Sequence, residues 1–150
     1  MKRALAIGAL LVFFAGCNTD IVTTKQLKAI TNKCVYITPI ESQDPYVGKV
    51  LRDLLEKEFV RRQVQLCDAN TANVILTGST FLTLRSSGTN GLILGIGGSE
   101  SSAQAIESLT ITAKDKAGNI LLTASYANVN QFTASKLAQE FGSALADKLR

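Results

Sequence analysis

Residues 34–62 read CVYITPIESQDPYVGKVLRDLLEKEFVRR, and they contain the clearest secondary-structure signals in the chain. Residues 34–40 are mostly β-branched or aromatic and include a proline near their end, which predicts a strand. Asp44 and Pro45 then offer a side-chain acceptor at a helix N-cap and a proline at the first helical position. The helix that follows has one apolar face, made of Val47, Val50, Leu51, Leu54, Leu55 and Phe59.

The rest of the chain adds four more strand regions and a closing helix. Residues 64–66 and 74–84 predict strands, the second of them long and apolar in its first half. Residues 109–113 and 120–126 flank a glycine-bearing turn and predict a hairpin. An amphipathic helix ends the sequence, with its apolar face at Leu137, Phe141, Ala144, Leu145 and Leu149. The order β-α-β-β-β-β-α predicts an α+β fold, a two-layer sandwich with a mixed sheet of about five strands and both helices on one face.

The first residues have the pattern of a secretory signal. Lys2 and Arg3 precede an apolar run over residues 4–15, which is shorter than the roughly 20 helical residues that cross a bilayer. Ala15 and Gly16 then precede Cys17. This resembles the bacterial lipobox, which implies cleavage before Cys17 and a covalent diacylglycerol and N-acyl lipid on that residue. The alternatives are an ordinary secretory signal with a chance cysteine and a buried core helix.

The chain is therefore expected to divide into three parts. Residues 1–16 form the lipoprotein signal peptide, residues 17–32 a lipidated tether with polar composition, and residues 33–150 a periplasmic domain. Asn18 follows the lipidated position, where an aspartate in enterobacterial lipoproteins favours inner-membrane retention. The expected location is thus the periplasmic face of the outer membrane, with the inner membrane as the less favoured alternative.

The composition of the processed chain excludes several classes of function. Loss of Lys2 and Arg3 lowers the formal net charge from +4 to about +2, and the remaining basic residues are scattered, so no nucleic-acid partner is expected. The chain has no histidine, which removes the commonest general base and metal ligand. Cys34 and Cys67 remain, and they are either a disulfide or two buried thiols. As a disulfide they would stabilise the fold by roughly 4 kcal/mol, and too few ligands remain for a metal site.

The order of elements and two local patterns resemble one group of envelope proteins. Residues 73–79 (NVILTGS) lead into a strand, and residues 113–121 (AKDKAGNIL) form a hairpin. In this arrangement the chain is similar, over about residues 33–150, to periplasmic lipoprotein domains related to the TolB amino-terminal domain and the curli secretion lipoprotein. Small relatives occur in polysaccharide export and as activators of cell-wall synthases, and the lipopolysaccharide-assembly lipoprotein has a similar order. The resemblance implies a scaffold that forms rings, supports outer-membrane pores or holds partners, without catalytic residues.

A Ser- and Gly-rich segment over residues 86–104 contains one apolar run. We expect this run to contact the membrane or a partner, because large aliphatic side chains are unfavourable in solvent. The alternatives are a flexible hairpin loop and, at residues 95–98 (GIGG), a phosphate-binding loop, which here lacks the Lys-Ser/Thr pair that usually follows. The residues of the expected contact are Leu92, Ile93, Leu94 and Ile96.

No arrangement of residues in the sequence predicts an enzyme. Ser135 and Lys136 are adjacent on a helix and so point about 100° apart, and Glu56 and Glu58 are expected to be solvated. The function expected is a lipid-anchored, non-enzymatic assembly or accessory component of a cell-envelope complex, in secretion, polysaccharide export or outer-membrane biogenesis. Its partners would be the membrane and either an envelope protein or further copies of the chain. The alternative is a periplasmic module that binds lipid or glycan, or that regulates an envelope enzyme.

Overall fold

A computed structural model of the chain describes residues 19–85, 103–127 and 134–150. These residues form a mixed sheet and a layer of helices. In chain order the elements are β1 (Thr19–Thr23), α1 (Lys25–Ala29), β2 (Cys34–Ile37), α2 (Pro45–Arg61), β3 (Gln65–Leu66), β4 (Val74–Arg85), β5 (Ala103–Lys114), β6 (Ile120–Ala127) and α3 (Ala134–Leu149).

Helix α2 begins and ends at signals that are visible in the sequence. The Asp44 side chain accepts a hydrogen bond of 2.9 Å from the Tyr46 backbone N–H, and Pro45 occupies the first turn. At the other end Gln63 adopts a positive φ of 62°, and its N–H donates to the Val60 carbonyl at 3.0 Å. The Val64 N–H donates to the Phe59 carbonyl at 3.0 Å, which completes a Schellman motif and stops the helix.

The six strands lie in the order β1-β6-β5-β4-β2-β3. Strand β2 runs parallel to both β3 and β4, whereas β4, β5, β6 and β1 pair antiparallel, so the sheet is mixed. The β2–β3 pair is parallel because the chain crosses over through α2, and the β5–β6 pair is antiparallel because a short hairpin turn joins the two strands. The α+β two-layer class predicted from the sequence is therefore confirmed.

The core lies between the sheet and the helices α2 and α3. From the helices, Leu51, Leu55 and Phe59 of α2 and Phe141 and Leu145 of α3 are fully buried. Each such side chain contributes roughly 1.5–3 kcal/mol on burial. The Phe141 ring meets the Tyr126 ring of β6 edge to face, with centroids 6.2 Å apart. The inward residues of the strands include Val35, Val74, Leu76, Leu109, Ile111, Leu122 and Ala124.

The segment expected to be a tether is part of the domain. Residues 19–23 pair with β6 over five positions, from Thr19 opposite Tyr126 to Thr23 opposite Leu122, and α1 buries Leu27 in the core. Residues 19–29 of the expected tether thus form β1 and α1, and the described sheet has six strands rather than about five. Strand β1 has no clear signal in the sequence, because a five-residue strand shows little periodicity and its partner lies about a hundred residues away.

Candidate functional site

The lipidation site and the apolar run of the sequence analysis lie outside the described residues. Cys17, Leu92, Ile93, Leu94 and Ile96 are in this group. The nearest described position to Cys17 is Thr19, the first residue of β1.

Cys34 and Cys67 are joined by a disulfide, with their Cα atoms 5.7 Å apart and a sequence separation of 33 residues. Cys34 opens β2 and Cys67 follows β3, so the bond fastens the two-residue edge strand to its neighbour. Asn73 supports the same corner from the start of β4. Its side-chain oxygen accepts from the Cys34 N–H at 2.8 Å, and its own N–H donates to the Cys34 carbonyl at 3.0 Å. The disulfide therefore stabilises a sheet edge.

A charged cluster lies where α2 meets α3, around the buried side chain of Glu58. Glu58 is only 4% exposed. Its two carboxylate oxygens accept from Arg61 Nη1 at 2.8 Å and from Arg62 Nε at 3.3 Å. Arg62 also donates from Nη2 to Ser143 Oγ at 2.9 Å, and its Nη1 lies 3.8 Å from Asp147 Oδ1. The cluster thus links the end of α2 to α3 through a carboxylate held between two guanidinium groups.

The prediction from the sequence that Glu58 is solvated is wrong, because its side chain is buried. Glu58 lies on the buried side of α2, next to Phe59 and one turn after Leu55, where Gly142 of α3 packs against it. The signal that could have identified it is the pair Arg61 and Arg62, three and four residues further on the same helix. Glu56, by contrast, pairs with Arg52 at 2.9 Å on the partly exposed side of α2.

Two glycines mark close approaches of backbone to neighbouring elements. A Cβ on Gly142 of α3 would lie 3.1 Å from Leu55 Cδ2 and 3.4 Å from Glu58 Cβ, so the absence of a side chain lets α3 approach α2. A Cβ on Gly48 of α2 would overlap the backbone carbonyl oxygen of Ile40. The first contact is with the end of a leucine, which can shift, whereas the second is with backbone, which cannot shift without local distortion.

A shallow groove of about 450 Å³ runs along the outer surface of the helical layer. Ser135 and Lys136, the pair considered as a dyad, lie on its wall, and both are exposed at the start of α3. A smaller groove of about 90 Å³ lies next to it and reaches Glu58 and Arg61. The larger groove is lined by Arg62, Ser135, Lys136, Gln139, Glu140 and Ser143. Both grooves are open and polar, unlike the largely enclosed apolar pockets typical of small-molecule sites.

Two surface aspartates are fixed in turns by hydrogen bonds. Bonds from the backbone N–H and hydroxyl of Thr71 and from the Asn70 N–H lower the pKa of Asp68 from its ordinary value of 3.8. Bonds from the side chain and backbone of Asn119 likewise lower the pKa of Asp115. Both groups therefore stay ionised at neutral pH and act as turn acceptors. Neither has the raised pKa of a general acid.

The sheet face opposite the helices is rich in hydroxyl groups. Hydroxyl residues of neighbouring strands lie opposite one another on this face, for example Thr77 of β4 opposite Thr112 of β5 and Ser79 opposite Thr110. The side chains alternate along each strand with the buried positions of the core, so they face solvent. The hydroxyl residues of this open face are Thr77, Ser79, Ser108, Thr110, Thr112, Thr123 and Ser125. Phe81 adds an exposed aromatic ring.

Within residues 19–85, 103–127 and 134–150, no group of three His, Cys, Asp or Glu residues is placed to hold a metal ion. The helices of the same ranges are too short or too polar to cross a membrane.

Every buried side-chain nitrogen or oxygen described has a hydrogen-bond partner.

No protein-family model and no curated protein matches the sequence. Among solved structures, the PelC dodecamer from Paraburkholderia phytofirmans superposes on 87% of this chain and 95% of its own, with a TM-score of 0.56 and 11% identity. A point variant of that PelC dodecamer gives a TM-score of 0.57 and 12% identity over the same shares. A PDZ-domain protein from Parabacteroides distasonis ATCC 8503 has a TM-score of 0.53 and 10% identity over 85% of this chain and 34% of its own. At these identities the likeness shows that the chain shares a fold with PelC and with about a third of the PDZ-domain protein.

Proposed function

We propose that the chain is a lipid-anchored, non-enzymatic component of a bacterial cell-envelope complex, and that it works as a homo-oligomer. The observation that supports this most strongly is the likeness to PelC, whose solved structures are dodecamers and whose chain is matched over 95% of its length. Nearly the whole of that subunit, rather than a fragment of it, has a counterpart here. An assembly role in secretion, polysaccharide export or outer-membrane biogenesis would use such an oligomer as a scaffold.

Lipid anchoring is supported by the sequence before the domain. The positive start, the apolar run and the small pair before Cys17 are in the order of a lipobox. In the proposed protein, two or more acyl chains at Cys17 hold it stably to the membrane. Because β1 starts at Thr19, two residues after the proposed anchor, such an anchor would keep the domain close to the bilayer surface. Asn18 in place of an aspartate supports the periplasmic face of the outer membrane as its location.

A non-enzymatic role is supported by the chemistry of the described polar groups. The buried carboxylate, Glu58, is held in ion pairs with Arg61 and Arg62. The aspartates with perturbed pKa values are bound in turns. Perturbed groups in enzymes usually converge on a cleft, whereas these groups are spread over the helical layer and the loop ends.

The test is the native mass of the full-length lipoprotein, extracted from membranes in mild detergent and measured with and without chemical crosslinking. We expect a discrete homo-oligomer, and we expect incorporation of labelled palmitate that the Cys17→Ser variant loses. A monomer at micromolar concentration would contradict the proposal and favour the binding-module alternative. Absence of label in the wild-type protein would contradict the lipid anchor. The native mass would still test whether the protein forms an oligomer.

A further inference from the structure

The two edges of the described sheet are unequal. At one end β3 has two residues and is fastened to β2 by the disulfide. At the other end β1 has five residues and pairs with β6 on one side only, as far as the described ranges show. Strand edges expose unpaired N–H and C=O groups, so the longer edge is the stronger template for another strand.

The hydrogen bonds of β1 establish which backbone groups point outward. The Thr24 N–H donates to the Leu121 carbonyl at 2.9 Å, so these two residues form a hydrogen-bonded antiparallel pair. Such pairs alternate along a ladder, and the N–H and C=O groups of Asp20 and Val22 therefore point towards β6. Those of Thr19, Ile21 and Thr23 point away from the sheet.

Apart from the exposed carboxylate of Asp20, strand β1 lacks the features that usually prevent edge pairing. It contains no proline, lysine or register shift, and every residue except Asp20 is β-branched. The Val22 side chain is 61% exposed on the open face beside this edge. Natural monomers usually block an edge of this kind, so the outer edge of β1 is a candidate site for pairing with a further strand.

We propose that β1 pairs antiparallel with β1 of a second copy, about a two-fold axis at Ile21. The inference rests on the proposed homo-oligomer and names one of its interfaces. In this register Thr19 lies opposite Thr23 of the other copy, and the outward groups form about six hydrogen bonds between chains. The two sheets become continuous, and both helical layers lie on the same side.

The second copy is the occupant because it offers a matching edge. The two described edges of the sheet are β1, with five residues, and β3, with two. The strand that matches β1 in length is therefore β1 of another copy. The register also places Asp20 opposite Val22 rather than opposite a second carboxylate, which avoids like-charge repulsion across the strands. Anchoring of both copies to one membrane raises their effective concentration and makes a short interface sufficient.

A crosslinking experiment tests the register. Asp20→Cys and Val22→Cys are introduced into two differently tagged copies of the full-length lipoprotein, which are co-expressed and oxidised in membranes. The proposed pairing places these positions opposite each other at a non-hydrogen-bonded site, with Cα atoms about 4.5 Å apart, within the range of a disulfide. Identical positions in the two copies are diagonal, about 7–8 Å apart, and outside that range.

We expect a covalent dimer carrying both tags when the two variants are co-expressed, and none when either variant is expressed alone. If the wild-type protein is oligomeric and the mixed pair does not crosslink, this interface is wrong while the proposed function stands. If the wild-type protein is monomeric, both fail. A crosslink from either variant alone would show a different register and would rule out the proposed two-fold axis at Ile21.

A second pair of variants tests the outward backbone groups. Thr23→Pro removes an outward N–H and leaves the bonds to β6 intact, and proline is tolerated on edge strands. We expect the dissociation constant of the dimer to rise roughly tenfold or more, because two hydrogen bonds between chains are lost. The matched control, Thr110→Lys, places a charge on the open face and should leave assembly unchanged. Loss of assembly in the control alone would move the interface to the open face and overturn the proposal.

Discussion

Replacement of Glu58 by glutamine removes the central charge of the cluster between α2 and α3 and keeps its size. Glu58 is 4% exposed, and its partners Arg61 and Arg62 have side chains that are 56% and 41% exposed. Loss of one member of a fully buried ion pair costs about 3–5 kcal/mol. Because solvent screens the two arginines and can rehydrate them, we expect a smaller loss, about 2 kcal/mol. For a chain of this size that lowers the midpoint of thermal unfolding by roughly 6 °C.

The assay is urea unfolding followed by circular dichroism, at neutral pH and low salt, with the disulfide intact. Glu56→Gln is the matched control, since Glu56 also pairs with an arginine, Arg52, at 2.9 Å on the same helix, but its side chain is 34% exposed. We expect this control to lose less than about 0.5 kcal/mol. Combination of Glu58→Gln with Arg62→Gln should cost less than the sum of the single changes, because the carboxylate and Arg62 interact directly.

Equal stability of the Glu58→Gln and Glu56→Gln variants would refute this reasoning. It would mean that burial of the carboxylate cancels the gain from its two arginines. A fully additive double variant would instead show that Glu58 and Arg62 stabilise the fold independently, despite the 3.3 Å contact.

The remaining predictions concern backbone contacts, the disulfide and pH. Alanine at either helical glycine gains about 1 kcal/mol of helix propensity. In urea unfolding, Gly48→Ala should nevertheless lower the free energy of unfolding by about 3 kcal/mol, because the new methyl group meets backbone. Gly142→Ala should stay within about 1 kcal/mol of wild type, because the leucine side chain that it meets can shift. The double variant of Cys34→Ala and Cys67→Ala should lose up to about 4 kcal/mol of unfolding free energy, and detection of free thiols in the untreated wild-type protein would contradict the disulfide. Because folding lowers the pKa of Asp115, its stabilisation is complete above the ordinary value of 3.8 and is lost as the pH falls through the lower folded value. Urea midpoints from pH 7 to pH 2.5 should therefore fall less steeply at the acid end in Asp115→Asn than in wild type.

Helix α2 was predictable from the sequence because its signals are local. The acceptor of Asp44, the proline at its first turn and the apolar spacing of Leu51 and Leu55 all act within one or two turns, and the structure begins the helix at Pro45. The same holds for the hairpin between β5 and β6, whose turn includes Gly118 at a φ of 87°. The class of fold followed from the order of such elements.

Strand β1 and the burial of Glu58 were not predictable in the same way, because each depends on distant residues. Five residues of β1 become a strand by pairing with β6, and nothing within the segment signals that partner. Glu58 is buried because Gly142 lets α3 approach, which is a property of the other helix. The disulfide is an intermediate case: the sequence offered the two cysteines, and the topology brings β2 and β3 side by side.

The pairing of β1 with β6 also has a consequence for the order in which the chain can fold. In the proposed lipoprotein, delivered across a membrane N-terminus first, Thr19–Thr23 arrives early, while Ile120–Ala127 follows about a hundred residues later. The loop between them must close before this part of the sheet forms, which makes it a late and slow step. Until then Thr19–Thr23 has no partner strand and remains unfolded chain, the state in which a processing enzyme can bind an extended peptide. In the proposed lipoprotein, maturation of the N-terminus and completion of the sheet would thus be separated in time by the topology alone.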